Sequence, residues 1–276
     1  MSDIRIDLSG KVALVTGGAD GLGKGSALAL ARAGADIVIA DINVESAEQT
    51  VAEIEALGRS ALFLPTNMME VDQIAPLVEA AKKQFGRIDV LVNNVGGGRP
   101  TAFLQQSKNS MQRHINLNLM SVFVATQLTA PIMIEAGNGG AIINVASTEA
   151  LRAAPGFAVY AACKAAMVSF TKTMALELAA HNIRSFALAP DMILTPGLAP
   201  LMNAASEKQQ AARDRYIPNG RMGSIDEFGN VVAFLASDLA SYLNGITVPV
   251  DAGATSAAGW YRDPDNQWCL YHSEAE

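Results

Sequence analysis

Seven short runs of β-branched and apolar residues recur along the chain with longer helix-patterned stretches between them, and no other feature restricts the possible folds as much. The runs are Val12 to Val15, Ile37 to Ala40, Ala61 to Leu64, Ile88 to Val92, Ala141 to Val145, Arg184 to Leu188 and Ile246 to Val250. Each is apolar nearly throughout and does not alternate apolar with polar, which is the pattern of strands buried on both faces. Strand and helix in alternation predict a doubly wound, seven-stranded parallel sheet between two helical layers, a Rossmann-like three-layer α/β/α fold. Ligands of such sheets bind beyond the carboxyl ends of the strands. With 276 residues, half of them apolar, the chain has enough material for one large core. The expected organisation is one domain over residues 1–258, followed by an aromatic extension over 259–276.

Charge narrows the partners. A formal net charge of -7 leaves no basic surface for nucleic acid or anionic membrane, so the expected partner is a small molecule. Met1 to Gly10 lacks a basic segment followed by an apolar stretch, which gives no secretory signal. The most apolar helical stretch, Ser121 to Ile134, is broken by Thr126, Gln127, Thr129 and Pro131 and reads as too short for a membrane span. Cys163, Cys269 and the three histidines lack metal-ligand spacing, so no metal is expected, and sparse cysteine fits the reducing cytoplasm.

The first strand runs into Thr16-Gly17-Gly18-Ala19-Asp20-Gly21-Leu22-Gly23 and then a helix rich in alanine and leucine. Glycines there let backbone N–H groups approach a pyrophosphate, although a plain strand-to-helix turn uses the same residues. The second strand ends at Asp41, where a carboxylate can accept hydrogen bonds from the adenosine ribose hydroxyls of NAD and would repel the 2′-phosphate of NADP. Asp20 inside the loop adds to that repulsion. The alternative for Asp41 is a helix N-terminal residue. The fourth strand enters Asn93-Asn94-Val95-Gly96-Gly97-Gly98, which suits both a nucleotide-side loop and a turn in which the amides tie strands together.

Tyr160 and Lys164 stand four apart at the start of a helix, on one face, where an ammonium near a phenol favours the phenolate and prepares a general acid and base. The same spacing also occurs on ordinary polar helix faces. Ser147 lies thirteen residues earlier, at the end of the fifth strand, where its hydroxyl could hold a substrate oxygen.

Taken together, Thr16-Gly-x3-Gly-x-Gly23, Asn93-Asn94-x-Gly96, Asn118, Ser147, Tyr160-x3-Lys164 and Pro190-x4-Thr195 resemble the short-chain dehydrogenase/reductase family in its single-domain branch, from Leu8 to about Thr255. The resemblance implies that Tyr160 exchanges a proton with the substrate oxygen, that Ser147 orients this oxygen, and that Lys164 lowers the tyrosine pKa and binds the nicotinamide ribose. It also implies that Asn118, rather than its neighbour Asn116, holds a water leading from Lys164 to solvent. Gly17, Asp20, Gly21, Leu22, Gly23, Asp41, Asn67, Met68, Asn94, Gly96, Pro190, Ile193 and Thr195 complete the implied NAD site, Ile193 and Thr195 holding the carboxamide. The implied reaction interconverts a secondary alcohol and a ketone, and the implied assembly is a homotetramer.

Three departures from the family pattern stand out. Asp191 replaces the glycine usual after Pro190, and it either bonds a polar group of the substrate or points to solvent and caps the next segment. Asn67 replaces an aspartate, and Asp251-Ala252-Gly253 replaces Asp-Gly-Gly. The segment from Pro196 to Arg215 reads as a lid whose leucine and methionine suit an apolar, cyclic or steroid-like substrate, and Asn94 to Pro100 is similar to bacterial hydroxysteroid dehydrogenases. Gly259 to Tyr271 reads as two short aromatic strands around an Asp-Pro-Asp-Asn turn, expected to pack on a neighbouring subunit. Two other readings remain: a nucleotide-binding regulatory or scaffold protein without turnover, and an enoyl reductase of the same fold.

Overall fold

The computed structural model describes residues 4–270. Strands β1 (Val12–Thr16), β2 (Asp36–Asp41), β3 (Ala61–Pro65), β4 (Val90–Asn93), β5 (Gly140–Val145), β6 (Ile183–Pro190) and β7 (Thr247–Val250) form one sheet in the order β3-β2-β1-β4-β5-β6-β7, and every pairing in it is parallel. The strand pattern explains the two-sided burial. Ala13, Val15, Ile37 and Ile39 point into one core, and Val12, Leu14, Val38 and Ala40 into the other.

The helices are α1 (Gly21–Arg32), α2 (Val44–Ala56), α3 (Ile74–Phe85), α4 (Lys108–Ile115), α5 (Ser121–Ala136), α6 (Ala158–Glu177), α7 (Ala199–Asn203), α8 (Glu207–Tyr216), α9 (Ile225–Ala236) and α10 (Ala254–Ala257). Helices α1 and α9 close the first core with Leu28, Leu30, Phe228 and Val232, while α3 and α5 close the second with Ile74, Leu77, Ala125 and Met133. Backbone touches backbone between α1 and α9: a Cβ on Gly25 would lie 2.3 Å from the Ile225 carbonyl oxygen, and one on Gly229 would lie 2.2 Å from that of Gly25. This fixes the first helix, and with it the loop that precedes it.

From β1 the chain winds outward to β3, then returns to place β4 on the other side of β1. The strand order therefore reverses between β1 and β4, and the crevice at their carboxyl ends is where such sheets bind ligands.

One expectation needs correction. Helices α4 and α5 are joined by a π-helical turn over Asn116–Met120, so the helical run Lys108–Ala136 is 29 residues long and is long and apolar enough to cross a membrane. Half of its most apolar window is buried inside the fold, where α5 packs on the sheet and on α3, so it serves here as a core helix.

Beyond α10, β8 (Tyr261–Arg262) and β9 (Trp268–Cys269) form the expected antiparallel hairpin, with Arg262 opposite Trp268. Asn266 in its turn has φ of 64°, a left-handed conformation that asparagine tolerates. The Arg262 guanidinium lies over the Trp268 ring and donates to the Pro218 carbonyl at 3.1 Å, tying the hairpin to its own subunit just past α8. Trp260, Trp268 and Leu270 remain about half exposed. Tyr271, the last aromatic residue of the expected strand, lies outside the described residues.

Candidate active site

The glycine loop is shaped by what its glycines leave out. Gly17 and Gly21 adopt φ of 66° and 54°, which side chains disfavour. Gly23 packs so closely that a Cβ would lie 1.8 Å from the Gly17 carbonyl oxygen. Asp20 caps α1, its carboxylate accepting from the Gly21 N–H at 2.7 Å. The first-turn N–H groups of Leu22 and Gly23 have no carbonyl four residues back within the helix, which makes this end a donor set suited to a phosphate.

Asn94 holds the loop from the β4 side. Its amide donates to the Thr16 and Gly17 carbonyls at 3.0 and 3.1 Å, and its own N–H donates to the Thr16 hydroxyl at 2.9 Å. Asn93 lies deeper and donates to Asn144 at 2.8 Å, linking β4 to β5. Of the two roles open to these amides, tying strands together is directly visible. Asp41 does not cap α2, because Asn43 does so. One Asp41 oxygen accepts from the Ala19 N–H and the other from the Asn43 N–H, both at 3.0 Å, which places the carboxylate beside the glycine loop.

At the other end of the crevice, Tyr160 and Lys164 lie one turn apart in α6. The Lys164 Nζ donates to the Val145 carbonyl at 2.6 Å and sits 5.7 Å from the centre of the Tyr160 ring. Asn118 lies in the π-helical turn, fully buried. It accepts from the Gly97 N–H at 2.8 Å and donates to the Gly97 and His114 carbonyls, both at 3.0 Å. A π-turn inserts one extra residue into a helix, and here that residue step aims a polar side chain at the site. Gly96 and Gly98 allow the close approach: a Cβ on Gly96 would lie 2.8 Å from both the Asn118 Oδ1 and the Lys164 Nζ, and one on Gly98 would lie 3.2 Å from Tyr160.

Burial dominates the electrostatics of the pair. Burial pushes the Tyr160 phenol above its ordinary value, the Ser147 hydroxyl draws it back, and the Glu149 carboxylate pushes it further up. The Lys164 ammonium is itself completely buried, and this burial brings its pKa down to about 8.

Asp191 neither faces solvent nor caps the next segment. Its side chain is 10% exposed and accepts from the Tyr216 hydroxyl at 2.6 Å and from Arg152 at 3.4 Å. Arg152 also pairs with Glu149 at 2.9 Å and donates to the Tyr216 oxygen. Burial is the main reason that Asp191 titrates above the usual carboxylate range; Tyr216 and Arg152 oppose the shift.

Between the glycine loop and the tyrosine lies a cleft of about 550 Å³. It is lined by Gly17, Asp20, Gly21, Leu22, Asp41, Asn67, Met68, Asn94, Gly96, Tyr160, Lys164, Pro190 and Thr195 from the sequence-derived set. Four members of that set lie elsewhere. Gly23 backs the loop, Asn118 stands behind Gly97, and Ser147 flanks Tyr160 at the end of β5. Ile193 has its side chain in the core and its N–H on the Asp191 carbonyl at 2.9 Å. Ile42, Thr66, Leu117 and Val145 also line the cleft although sequence reasoning passed over them. Three of them, Ile42, Thr66 and Leu117, adjoin a residue it had chosen, and that adjacency was the available signal.

The family model described as enoyl-(acyl carrier protein) reductase matches residues 17–255. The chain is 41% identical to the 3-oxoacyl-(acyl-carrier-protein) reductase FabG of Thermotoga maritima, covering 89% of this chain and 98% of that protein. It is 40% identical to the 2-dehydro-3-deoxy-D-gluconate 5-dehydrogenase of Escherichia coli, covering 89% and 96%. Among solved structures, a 7 alpha-hydroxysteroid dehydrogenase complexed with NADH and 7-oxo glycochenodeoxycholic acid superposes with a TM-score of 0.83 at 33% identity, covering 90% of this chain and 95% of that one. The chain belongs to the short-chain dehydrogenase/reductase family and is an oxidoreductase acting on CH–OH groups.

Proposed function

We propose that this protein is an NAD(H)-dependent dehydrogenase that interconverts a secondary alcohol and a ketone on a largely apolar substrate, with cyclic and steroid-like ketones as the first candidates. The observation that carries this reading is that Tyr160 and Lys164 line the far end of a cleft that starts at the glycine loop, with the Ser147 hydroxyl bonded to the Tyr160 phenol beside it. The bound cofactor would supply or take up the hydride. Gly17, Gly21 and Leu22 would hold its phosphates, Asp41 its adenosine ribose, and Lys164 and Thr195 its nicotinamide end. Tyr160 gives its phenolic proton to the carbonyl oxygen during reduction and takes the hydroxyl proton during oxidation, while Ser147 hydrogen-bonds that same oxygen. Lys164 and Asn118 stand behind the phenol.

Asp41 supports NAD over NADP, since a second negative group beside its carboxylate would be repelled. The hydroxysteroid dehydrogenase and the two relatives differ in substrate, so the substrate class here rests on the lid, where Leu198, Leu201 and Met202 gather. The enoyl reductase reading draws on the family model's description. Homotetramer formation and a cytoplasmic location belong to the same proposal, supported by the half-exposed aromatic hairpin and the free Cys163 and Cys269.

Reduced-nicotinamide absorbance with cyclic ketones, oxo-steroids, sugar acids, 3-oxoacyl thioesters and enoyl thioesters tests the reaction. The expected result is turnover of a cyclic or steroid ketone with NADH in preference to NADPH. In the same assay, Tyr160→Phe should lose at least about a thousandfold in kcat while still binding NADH. Reduction of enoyl thioesters alone, a preference for NADPH, or an active Tyr160→Phe enzyme would each refute part of the proposal.

A further inference from the structure

Asp191, Arg152 and Tyr216 have no assigned part in the proton-transfer site, yet they are bonded to one another across three separate segments of chain. Asp191 follows β6, four residues before Thr195; Arg152 follows β5, five residues after Ser147; Tyr216 ends the lid helix α8. We propose that Asp191, Tyr216 and Arg152 form a clasp that holds α8 against the loops carrying Ser147 and Thr195, so that Asp191 is a positioning residue for substrate binding. This inference rests on the reading of the site as an alcohol–ketone oxidoreductase.

The bonding is closed on itself. The Tyr216 hydroxyl donates to one Asp191 oxygen at 2.6 Å and accepts from Arg152, while Arg152 reaches the other Asp191 oxygen at 3.4 Å and Glu149 at 2.9 Å. Glycine at position 191, as in the family pattern, could make none of these contacts. The charged groups around the clasp are Arg152, Glu149, Asp191 and, from the end of β7, Asp251. One guanidinium thus sits among three carboxylates. It compensates for their repulsion only while the loops after β5 and β6 stay together.

The lid end is also held from outside. Arg262 of the hairpin donates to the Pro218 carbonyl, two residues past Tyr216. Inside α8 stand Lys208, Arg213 and Arg215, three bonds that trypsin can cut once the helix lifts and frays.

Tyr216→Phe deletes one oxygen and keeps the ring, which makes it the decisive variant. A hydrogen bond to a buried carboxylate is strong enough that its loss should speed tryptic cleavage within α8 by about tenfold and raise the ketone KM by about tenfold. The Kd for NADH should change less than about twofold, a split that general destabilisation would not produce. Asp191→Gly should match Tyr216→Phe, the double variant should be no worse than either, and Asp191→Asn, which keeps an acceptor for the hydroxyl, should recover most of the loss. Cleavage of Tyr216→Phe at the native rate, or single effects that add in the double variant, would overturn the clasp. If Asp191→Gly does not fold, Tyr216→Phe decides alone. Because cleavage is read without turnover, it judges the clasp even if no ketone is reduced and the proposed reaction falls.

Discussion

The two walls of the cleft are built on opposite principles. On the glycine-loop wall, position is set by atoms that are missing: Gly23 lies on the Gly17 carbonyl, and Gly25 and Gly229 bring α1 and α9 into backbone contact. On the lid wall it is set by side chains that reach far through the sequence, with Asp191, Arg152 and Tyr216 tied across 39 and 25 residues. The first wall has little room to move, since a carbon added at Gly23, Gly25 or Gly229 meets backbone. The second is held by a few polar bonds and can be released one bond at a time.

The sharpest way to break this contrast is to make the same substitution on both walls. Gly23→Ala drives a Cβ to 1.8 Å from a carbonyl oxygen, so it should cost about 3 kcal/mol of stability and weaken NADH binding more than about a hundredfold. Gly197→Ala, in the lid segment, meets nothing within 4 Å and should leave thermal stability within about 0.5 kcal/mol of native. Equal effects in thermal unfolding and cofactor titration would show that the walls do not differ in rigidity.

A smaller effect concerns the reaction end. Lys164 titrates at about 8, below Tyr160, so it is the first of the pair to lose its proton as pH rises. Below that value Lys164 is charged and can restore the proton that Tyr160 gives away; above it Lys164 is neutral and can accept one. Ketone reduction should therefore fall by about tenfold between pH 7 and 9, while alcohol oxidation rises over the same window. Lys164→Arg, charged throughout, should flatten both profiles, and steady-state rates in each direction would reveal a native enzyme equally flat.

The smallest effect is expected at Ala252, which holds φ of 53° beside Asp251, itself bonded to the Gly253 and Thr255 N–H groups. A left-handed alanine costs about 1 kcal/mol, so Ala252→Gly should stabilise the fold by about 0.5–1 kcal/mol in denaturant unfolding. A loss of stability would mean that the turn does not carry this strain.

The same contrast explains what could be read from the sequence. All seven strands were legible because they are apolar nearly residue after residue, the inner ones buried on both faces, as Ile37 to Ala40 shows, and the edge strands β3 and β7 partly buried. The glycine loop and Asp41 were legible because their requirements are local: a strand end, a spacing, a helix start. The clasp was not. Asp191 showed only as a misfit, because its partners Tyr216 and Arg152 come from the lid helix and from the loop after β5, whose meeting depends on the finished sheet. The burial of Lys164, which brings its pKa down, was not legible either, because burial of a single residue is a property of the assembled core. The length of the Lys108–Ala136 run was missed for a similar reason, since the segment does not keep one helical period throughout.

That interrupted period has a consequence of its own. The π-turn at Asn116–Met120 adds one residue between α4 and α5, a phase slip of about 100° between two halves of what looks like one rod. A wheel drawn over the whole run therefore assigns one half to the wrong face. It also means that removing a single residue there would make the helix more regular by every local measure, while swinging the Asn118 amide away from Gly97 and leaving that loop without its anchor. The irregularity thus acts as a stored rotation, and the site retains its shape only while the helix keeps its extra residue.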